Sequence, residues 1–314
     1  MKIYIIFIIS TIIILLSLLS VLSFKYENST IDYIEKYKNE EPINIMFSCD
    51  KNQFVGLIAI VHSILIHTKQ SHRLRFYFLV DNNEKTILEN LLEKKINKNE
   101  DNNYIIKYNI KELVPNKEIN DNIKIINNNN IMNPLNFARF TFQDHFQELD
   151  KILYIDADMI VKNPIENLYD NCDINKMPFY AVCHDTFKKC FDFKDSYKHL
   201  NLNGNEPYFN AGIFCTSLNY WKKNNIQEKI IDIMKKHKHS KTPLFKYGTQ
   251  PLLNLAFINN VGKLPRKWNT LNLGSDKTMN TNILDNAAVL HWNGKHKPWL
   301  NNGYYKELWE SYKI

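Results

Sequence analysis

Asp156 and Asp158 flank a single residue at the end of the apolar run KILYI, and two carboxylates so placed imply a cation. In an extended segment residues i and i+2 point the same way, so both side chains converge on one point. Their mutual repulsion is costly unless a positive ion sits between them, and hard carboxylate oxygens suit Mg²⁺ or Mn²⁺. The end of a strand in an open α/β sheet is also where ligands bind. A second group stands far along the chain, in HWNGKHKPW, His291 to Trp299. The His291 imidazole would complete a metal shell with a preference for Mn²⁺ over Mg²⁺. Gly294 would permit close backbone approach, and Lys297 offers a cation to a phosphate. With eight glycines in 314 residues, the chain has neither the dinucleotide-binding fingerprint nor the Walker loop, so any phosphate must be gripped another way.

The elements that must position these groups follow from the pattern of apolar residues. INIMFSC (Ile43 to Cys49) reads as a buried strand, Leu57 to His67 as a helix, RLRFYFLVD (Arg73 to Asp81) as a strand and Glu84 to Lys95 as a helix. That alternation predicts a parallel α/β sheet. Tyr104 to Ile110 is a candidate strand within an Asn-rich loop region spanning Asn97 to Asn130. Asn136 to Phe146 reads as one helix, and Asp150 to Pro164 as a central strand running into a turn. FYAVCHD and YFNAGIFCTSL read as further strands, with Asn225 to Lys238 a basic amphipathic helix. No internal repeat is visible.

The apolar fraction of 44% and charged fraction of 23% describe a folding body. The net charge of +7 comes from lysines scattered among asparagines, without interleaved aromatics on one face, which speaks against nucleic-acid binding. Residues Ile3 to Phe24 carry no charge over a length sufficient to cross a bilayer, and too long for the apolar core of a cleaved signal. The expected organisation is a head at 1–2, a transmembrane signal anchor at 3–24, a stem at 25–41 and a catalytic domain at 42–314. A two-residue head leaves the body to lie on the lumenal side, as a single-pass type II protein of the Golgi or endoplasmic reticulum. The sequon Asn28-Ser29-Thr30 suits a lumenal stem. Of five cysteines, Cys49, Cys183 and Cys215 fall in strand-like runs and are expected as core thiols. Cys172 and Cys190 are the better placed for a disulfide.

YIDADMIV, YFNAGIF and LHWNGKHKPW, in that order and spacing, resemble glycosyltransferase family 8, retaining nucleotide-sugar transferases that include glycogenin and bacterial galactosyltransferases. Within it, YFNAGIFCTSLNYWKK, WNTLNLG and the HWNGKHKPW tail are most similar to the Golgi-type family 8 domain-containing proteins of animals. The likeness runs from about Ile43 to Trp309. It implies a GT-A type nucleotide-sugar-binding fold, α/β, with a mixed, mainly parallel central sheet flanked by helices. It further implies that Asp156, Asp158 and His291 hold Mn²⁺, or Mg²⁺, and that Gly294 and Lys297 contact the diphosphate of a UDP-sugar. Ser48, Asp50 and Asn52 would surround base and ribose, and Ala157 would lie beside ribose and diphosphate. Arg139 would approach the donor, Asn210, Ala211 and Gly212 would line the sugar pocket, and Gln250 would stand next to the reacting sugar. The acceptor would be a hydroxyl of a glycan or glycoprotein.

Many members carry Asp beside that glutamine, whereas Thr249 and Pro251 stand here. The departure disfavours a protein nucleophile and favours front-face substitution, with the departing diphosphate assisting the acceptor. It also keeps open a non-catalytic nucleotide-sugar-binding protein. A strand ending in Asp-x-Asp opens haloacid-dehalogenase-type phosphatases as well, but those follow with Thr or Val where Ile160 stands, and HWNGKHKPW has no role in them.

Overall fold

The computed structural model describes residues 20, 40–97, 104–123, 134–190, 200–241, 243–245 and 248–314. The expected head, anchor and sequon, and the stem up to residue 39, lie outside them, save for residue 20. Among the described residues no helix is long and apolar enough to cross a membrane. Residues Ile43–Ile314 form one compact unit.

Its frame, among the described residues, is a seven-stranded sheet in the order β3-β2-β1-β4-β7-β6-β8. β1 (Ile43–Ser48) pairs in parallel with β2 (Leu74–Val80) and β4 (Lys151–Ile155), and β2 with β3 (Tyr108–Glu112). β7 (Pro207–Ser217) runs antiparallel to β4 and to β6 (Phe179–Thr186), and β6 pairs in parallel with β8 (Val261–Lys263). The sheet is therefore mixed and mostly parallel, as expected: β1 and β2, the strands of the first alternation, pair in parallel, and among the described strands of this sheet β7 runs against both of its neighbours.

Alternate residues of the central strands serve two cores. Ile43, Ile45 and Phe47 pack with Leu153, Ile155 and the fourteen-residue helix Phe54–His67 on one face. Met46, Ile152 and Tyr154 pack on the other with Phe179, Phe214 and Phe257, whose rings stack in series. Strands buried on both faces read as continuous apolar runs, which is why β1 and β2 are visible in the sequence.

Four expectations are corrected. The segment Asn136 to Phe146 is three short turns, not one helix: Pro134–Phe137, Ala138–Phe140 and Phe142–His145. Thr141 Oγ1 donates back to the Ala138 carbonyl at 2.9 Å and Arg139 Nε to the Asn136 carbonyl at 3.1 Å, so side chains take carbonyls that a regular helix would use. The strand expected at Tyr104 to Ile110 forms at Tyr108–Glu112, in register with β2. The helix expected through Lys95 is regular over Lys85–Leu92 and closes in a wider turn at Glu93–Asn97. Cys172 is a free, fully buried thiol donating to the Leu168 carbonyl at 3.3 Å, not half of a disulfide; the Cys190 side chain lies outside the description.

The acidic turn is held by a small second sheet. β5 (Met159–Val161) pairs antiparallel with β9 (Val289–His291), in a register that sets Met159 opposite His291. Trp292 N–H donates to the Asp158 carbonyl at 2.9 Å and extends that ribbon by one step. Trp292 is fully buried, with its Nε1 bonded to the Tyr304 carbonyl at 2.8 Å. This pairing brings an imidazole from late in the chain to the acidic pair.

Candidate functional site: an acidic pair, an imidazole and a carboxamide chain

Asp156, Asp158 and His291 each offer one ligand atom within 4.8 Å of the others. Asp156 sits just past β4, its N–H bonded to the Gly212 carbonyl at 2.8 Å, so β7 fixes its height. Its Oδ1 accepts from Tyr154 Oη at 2.6 Å and from Arg139 Nη2 at 3.0 Å. Burial, opposed by the Arg139 charge and reinforced by Asp156, pushes the Tyr154 phenol well above its ordinary range and keeps it a donor. The Arg139 guanidinium lies 4.5 Å over the Tyr154 ring and gives its Nη1 to the Ala211 carbonyl at 2.9 Å. With Oδ1 so occupied, Oδ2 is the oxygen left for a ligand. A Cβ on Gly212 would stand 2.9 Å from that Oδ2 and 2.5 Å from His291 Cε1, so the close approach of two ligand side chains needs glycine there.

Asp158 is held differently. Lys297 Nζ bonds its Oδ2 and, at 2.8 Å, the Trp292 carbonyl. Oδ1 is buried, accepts no hydrogen bond and faces His291 Nε2 at 3.3 Å. Burial alone would raise the Asp158 carboxyl; the Lys297 charge and then the His291 imidazole outweigh it and hold it well below the usual carboxylate range. An anionic oxygen without a donor is costly inside a protein, and the donor set of two carboxylates and one imidazole meets the needs of Mn²⁺ or Mg²⁺. The residues present fit a divalent cation.

A chain of neutral side chains runs away from His291. Its Nδ1 lies 2.9 Å from Asn269 Oδ1, Asn269 Nδ2 donates to Asn210 Oδ1 at 3.0 Å, and Asn210 Nδ2 donates to Gln250 Oε1 at 2.9 Å. The helix Thr249–Ala256 that carries Gln250 is tied to β7 by Asn254, which exchanges two bonds of 2.9 Å with the backbone of Phe209.

The structure thus brings together Asp156, Asp158, His291, Arg139, Lys297, Asn210, Ala211, Gly212 and Gln250. Ser48 ends β1 and reaches the group through Tyr154 Oη at 3.4 Å. Asp50 caps the turn Lys51–Gln53, accepting from Asn52 N–H at 3.0 Å, at the same end of the sheet. Ala157 is buried, its carbonyl so close to Gly56 that a Cβ there would come within 2.6 Å. Gly294 is accounted for by its own backbone: φ is +119°, and a Cβ would strike the Gly274 carbonyl at 2.6 Å. Lys297 pairs with the Asp158 carboxylate. Sequence reading missed Tyr154 and Asn269. Tyr154 shares a face with Asp156 by the i, i+2 rule, a signal masked by its place in an apolar run. Asn269 stood within WNTLNLG, a segment that carried the resemblance without a role for the amide. A cavity of about 520 Å³ adjoins the chain, lined by His184, Arg266, Asn269, Leu271, Met279 and Ile283 among others.

Comparison with known proteins agrees with this frame. The family model of glycosyl transferase family 8 matches residues 44–303. Glycosyltransferase 8 domain-containing protein 1 of Xenopus tropicalis is 26% identical, over 87% of this chain and 77% of that protein. Probable galacturonosyltransferase-like 8 of Arabidopsis thaliana is 27% identical, over 87% and 71%. Galactosyltransferase LgtC, solved with donor and acceptor sugar analogues, superposes with a TM-score of 0.65 over 86% of this chain and 95% of its own, at 18% identity. That likeness is one of fold: α/β, GT-A-like, with a mixed, mostly parallel sheet. Matched from β1 to the loop beyond His291, the chain belongs to glycosyl transferase family 8, a family of glycosyltransferases.

Proposed function

We propose that the protein transfers a sugar from a UDP-sugar to an acceptor hydroxyl on a glycan or glycoprotein, with retention of anomeric configuration. The observation that carries the reading is the buried Asp158 Oδ1, which accepts no hydrogen bond and faces His291 Nε2 beside Asp156. Asp156, Asp158 and His291 would hold Mn²⁺, with Mg²⁺ the alternative. A cation held there supplies a Lewis acid that neutralises charge growing on the departing diphosphate. Lys297, already against Asp158, would add a second positive charge for that diphosphate. Ser48, Asp50 and Asn52, at and just beyond the end of β1, would meet base and ribose, and Ala157 and Gly294 would meet ribose and diphosphate. Arg139 anchors Asp156 from behind, and Asn210, Ala211, Gly212 and Gln250 form the wall against which the sugar rests.

Gln250 Oε1 already accepts two hydrogen bonds, from Asn210 Nδ2 and from Ala211 N–H at 3.2 Å, and its neighbours Thr249 and Pro251 are not acids. Neither chain neighbour of Gln250 therefore offers a carboxylate for a double displacement. In a front-face substitution the anomeric C–O bond to diphosphate breaks as the acceptor oxygen bonds the same face. The acceptor proton passes to the leaving phosphate oxygen. The cavity beside Asn269 is the place offered to the acceptor.

The test is a panel of UDP-sugars incubated with the purified chain and Mn²⁺. The reading expects hydrolysis or transfer from at least one of them, lost on chelation. The second reading, a non-catalytic nucleotide-sugar-binding protein, is favoured by the missing acids beside Gln250; it expects UDP binding with no turnover of any donor. For topology, we take Ile3 to Phe24 as a retained anchor with the body in the lumen of the Golgi or endoplasmic reticulum. Glycosylation at Asn28 would accord with it, and an unmodified sequon in secretory-pathway expression would count against it.

A further inference from the structure

Hydrogen-bond polarity along the carboxamide chain can be assigned from two backbone donors. A backbone N–H only donates. Gly212 N–H points at one end of the Asn210 amide at 3.0 Å, so that end is Oδ1; Ala211 N–H points at one end of the Gln250 amide at 3.2 Å, so that end is Oε1. Asn210 must then give its Nδ2 to Gln250. Asn269, facing Asn210 Oδ1 at 3.0 Å, must present its own Nδ2. Its remaining oxygen lies 2.9 Å from His291 Nδ1, which must therefore carry a proton. Reversing any member sets oxygen against oxygen or N–H against N–H, and Asn269 at 0% and His291 at 2% exposure have no water with which to repair the mismatch.

We propose that Asn269 is a positioning residue that fixes His291 with Nδ1 protonated, so that Nε2, on the side of Asp158 and Asp156, is the nitrogen left for a divalent cation. The consequence for metal binding rests on the reading of Asp156, Asp158 and His291 as a metal centre; the tautomer itself does not. Metal-binding imidazoles are oriented by the partner of their other nitrogen, and here that partner is an amide whose direction is dictated by β7. The same polarity decides what Gln250 can offer a sugar. Its oxygen is engaged twice, so the end left for a ligand is the –NH₂, a donor to a sugar oxygen and no nucleophile. Asn269 thereby ties the metal-binding side chain to the residue beside the sugar through one line of amides, and it also borders the cavity assigned to the acceptor.

The experiment is ¹⁵N-histidine NMR on the full chain, freed of metal and held at pH ~9, above the ordinary histidine range, with the His291 signals assigned by their loss in His291→Gln. Divalent affinity is read in parallel by calorimetry with MnCl₂. The wild-type chain is expected to show His291 with Nδ1 protonated. Asn269→Leu should release the ring into a mixture of tautomers and weaken Mn²⁺ by ~10–100-fold. Asn269→Asp keeps an acceptor for Nδ1–H but sets a second oxygen against Asn210 Oδ1. It should preserve the tautomer while disturbing Gln250, so Mn²⁺ affinity should fall less than in Asn269→Leu. A wild-type His291 protonated at Nε2 overturns the proposal without need of any variant, as does an Asn269→Leu chain with both tautomer and affinity unchanged. A fixed Nδ1–H tautomer in a wild-type chain that binds no Mn²⁺ would instead overturn the metal centre and leave the role of Asn269 in place.

Discussion

The two walls of the candidate centre are built from opposite chemistry. On the carboxylate wall, Arg139, Tyr154 and Lys297 hold Asp156 and Asp158 by charge and by a buried phenol. On the other, Gln250, Asn210 and Asn269 hold His291 with neutral amides alone. Charge attracts over several ångströms and tolerates small displacements, whereas an amide chain works only if every donor meets an acceptor. The carboxylate wall thus tolerates small displacements, and the amide wall sets direction. Even within the acidic pair the holding differs: Asp156 has one oxygen saturated, while Asp158 has one against Lys297 and one facing His291 Nε2.

Asp158→Asn attacks the wall where the account places the ion, and its effect should be the largest. Mn²⁺-dependent UDP binding should fall by more than the ~100-fold that marks loss of an outer partner. Unchanged affinity would remove Asp158 from the centre. Gly212→Ala strikes both walls at once, because its Cβ would crowd His291 Cε1 at 2.5 Å and Asp156 Oδ2 at 2.9 Å. It should cost ~1–3 kcal/mol in thermal or denaturant unfolding and weaken Mn²⁺ as well. Gly262→Ala is the control: its Cβ would meet the Tyr180 ring, so it should lower stability and spare metal binding. If the two glycine variants lost metal equally, crowding at the centre would not be the cause.

Tyr154→Phe removes one of two donors to Asp156 Oδ1 and leaves Arg139 in place, so the carboxylate wall should weaken Mn²⁺ by about tenfold, at the lower end of outer-partner effects. A loss as large as that of Asp158→Asn would mean that the phenol, not the guanidinium, fixes Asp156. The smallest effect is expected beside the amide wall. Burial, with the charges of Arg266 and His291, lowers His184 to about 4 from an ordinary value near 6.5. The unfolded chain binds that proton first as pH falls, so the stability held above pH ~6.5 is lost progressively towards pH 4. With partial solvent screening this amounts to ~1–2 kcal/mol, and His184→Gln should flatten the pH dependence of unfolding over that window. An unaltered slope would assign the acid sensitivity to other groups.

The difference between the walls also explains what the sequence disclosed. β1, β2, β6, β7 and the helix Phe54–His67 stand out because long apolar runs are buried on both faces. Asp156 and Asp158 stand out because two acids so close after such a run have a chemical cost that needs an explanation. His291 was recognisable only with the Gly, Lys, Pro and Trp that follow it, since β5 and β9 are three residues each and no periodicity reveals their pairing. Asn269 was harder still, and Asn210 entered only through the resemblance carried by YFNAGIF. Asparagine is common throughout this chain, and an amide gains its meaning from the direction of a hydrogen bond made across the fold, 59 positions apart for this pair. The broken segment around Arg139 was hidden for a similar reason: Asn136 to Phe146 has helical spacing, and the side-chain bonds of Thr141 and Arg139 that break it compete with the helix only once Arg139 is drawn to Asp156.

The central claim, that donor binding is organised by a divalent cation on Asp156, Asp158 and His291, is tested most directly by calorimetric titration of UDP into the metal-free full chain and into the same chain with Mn²⁺. The account predicts strong binding with Mn²⁺ and a loss of more than about 100-fold without it. Equal affinity in the two titrations would contradict it.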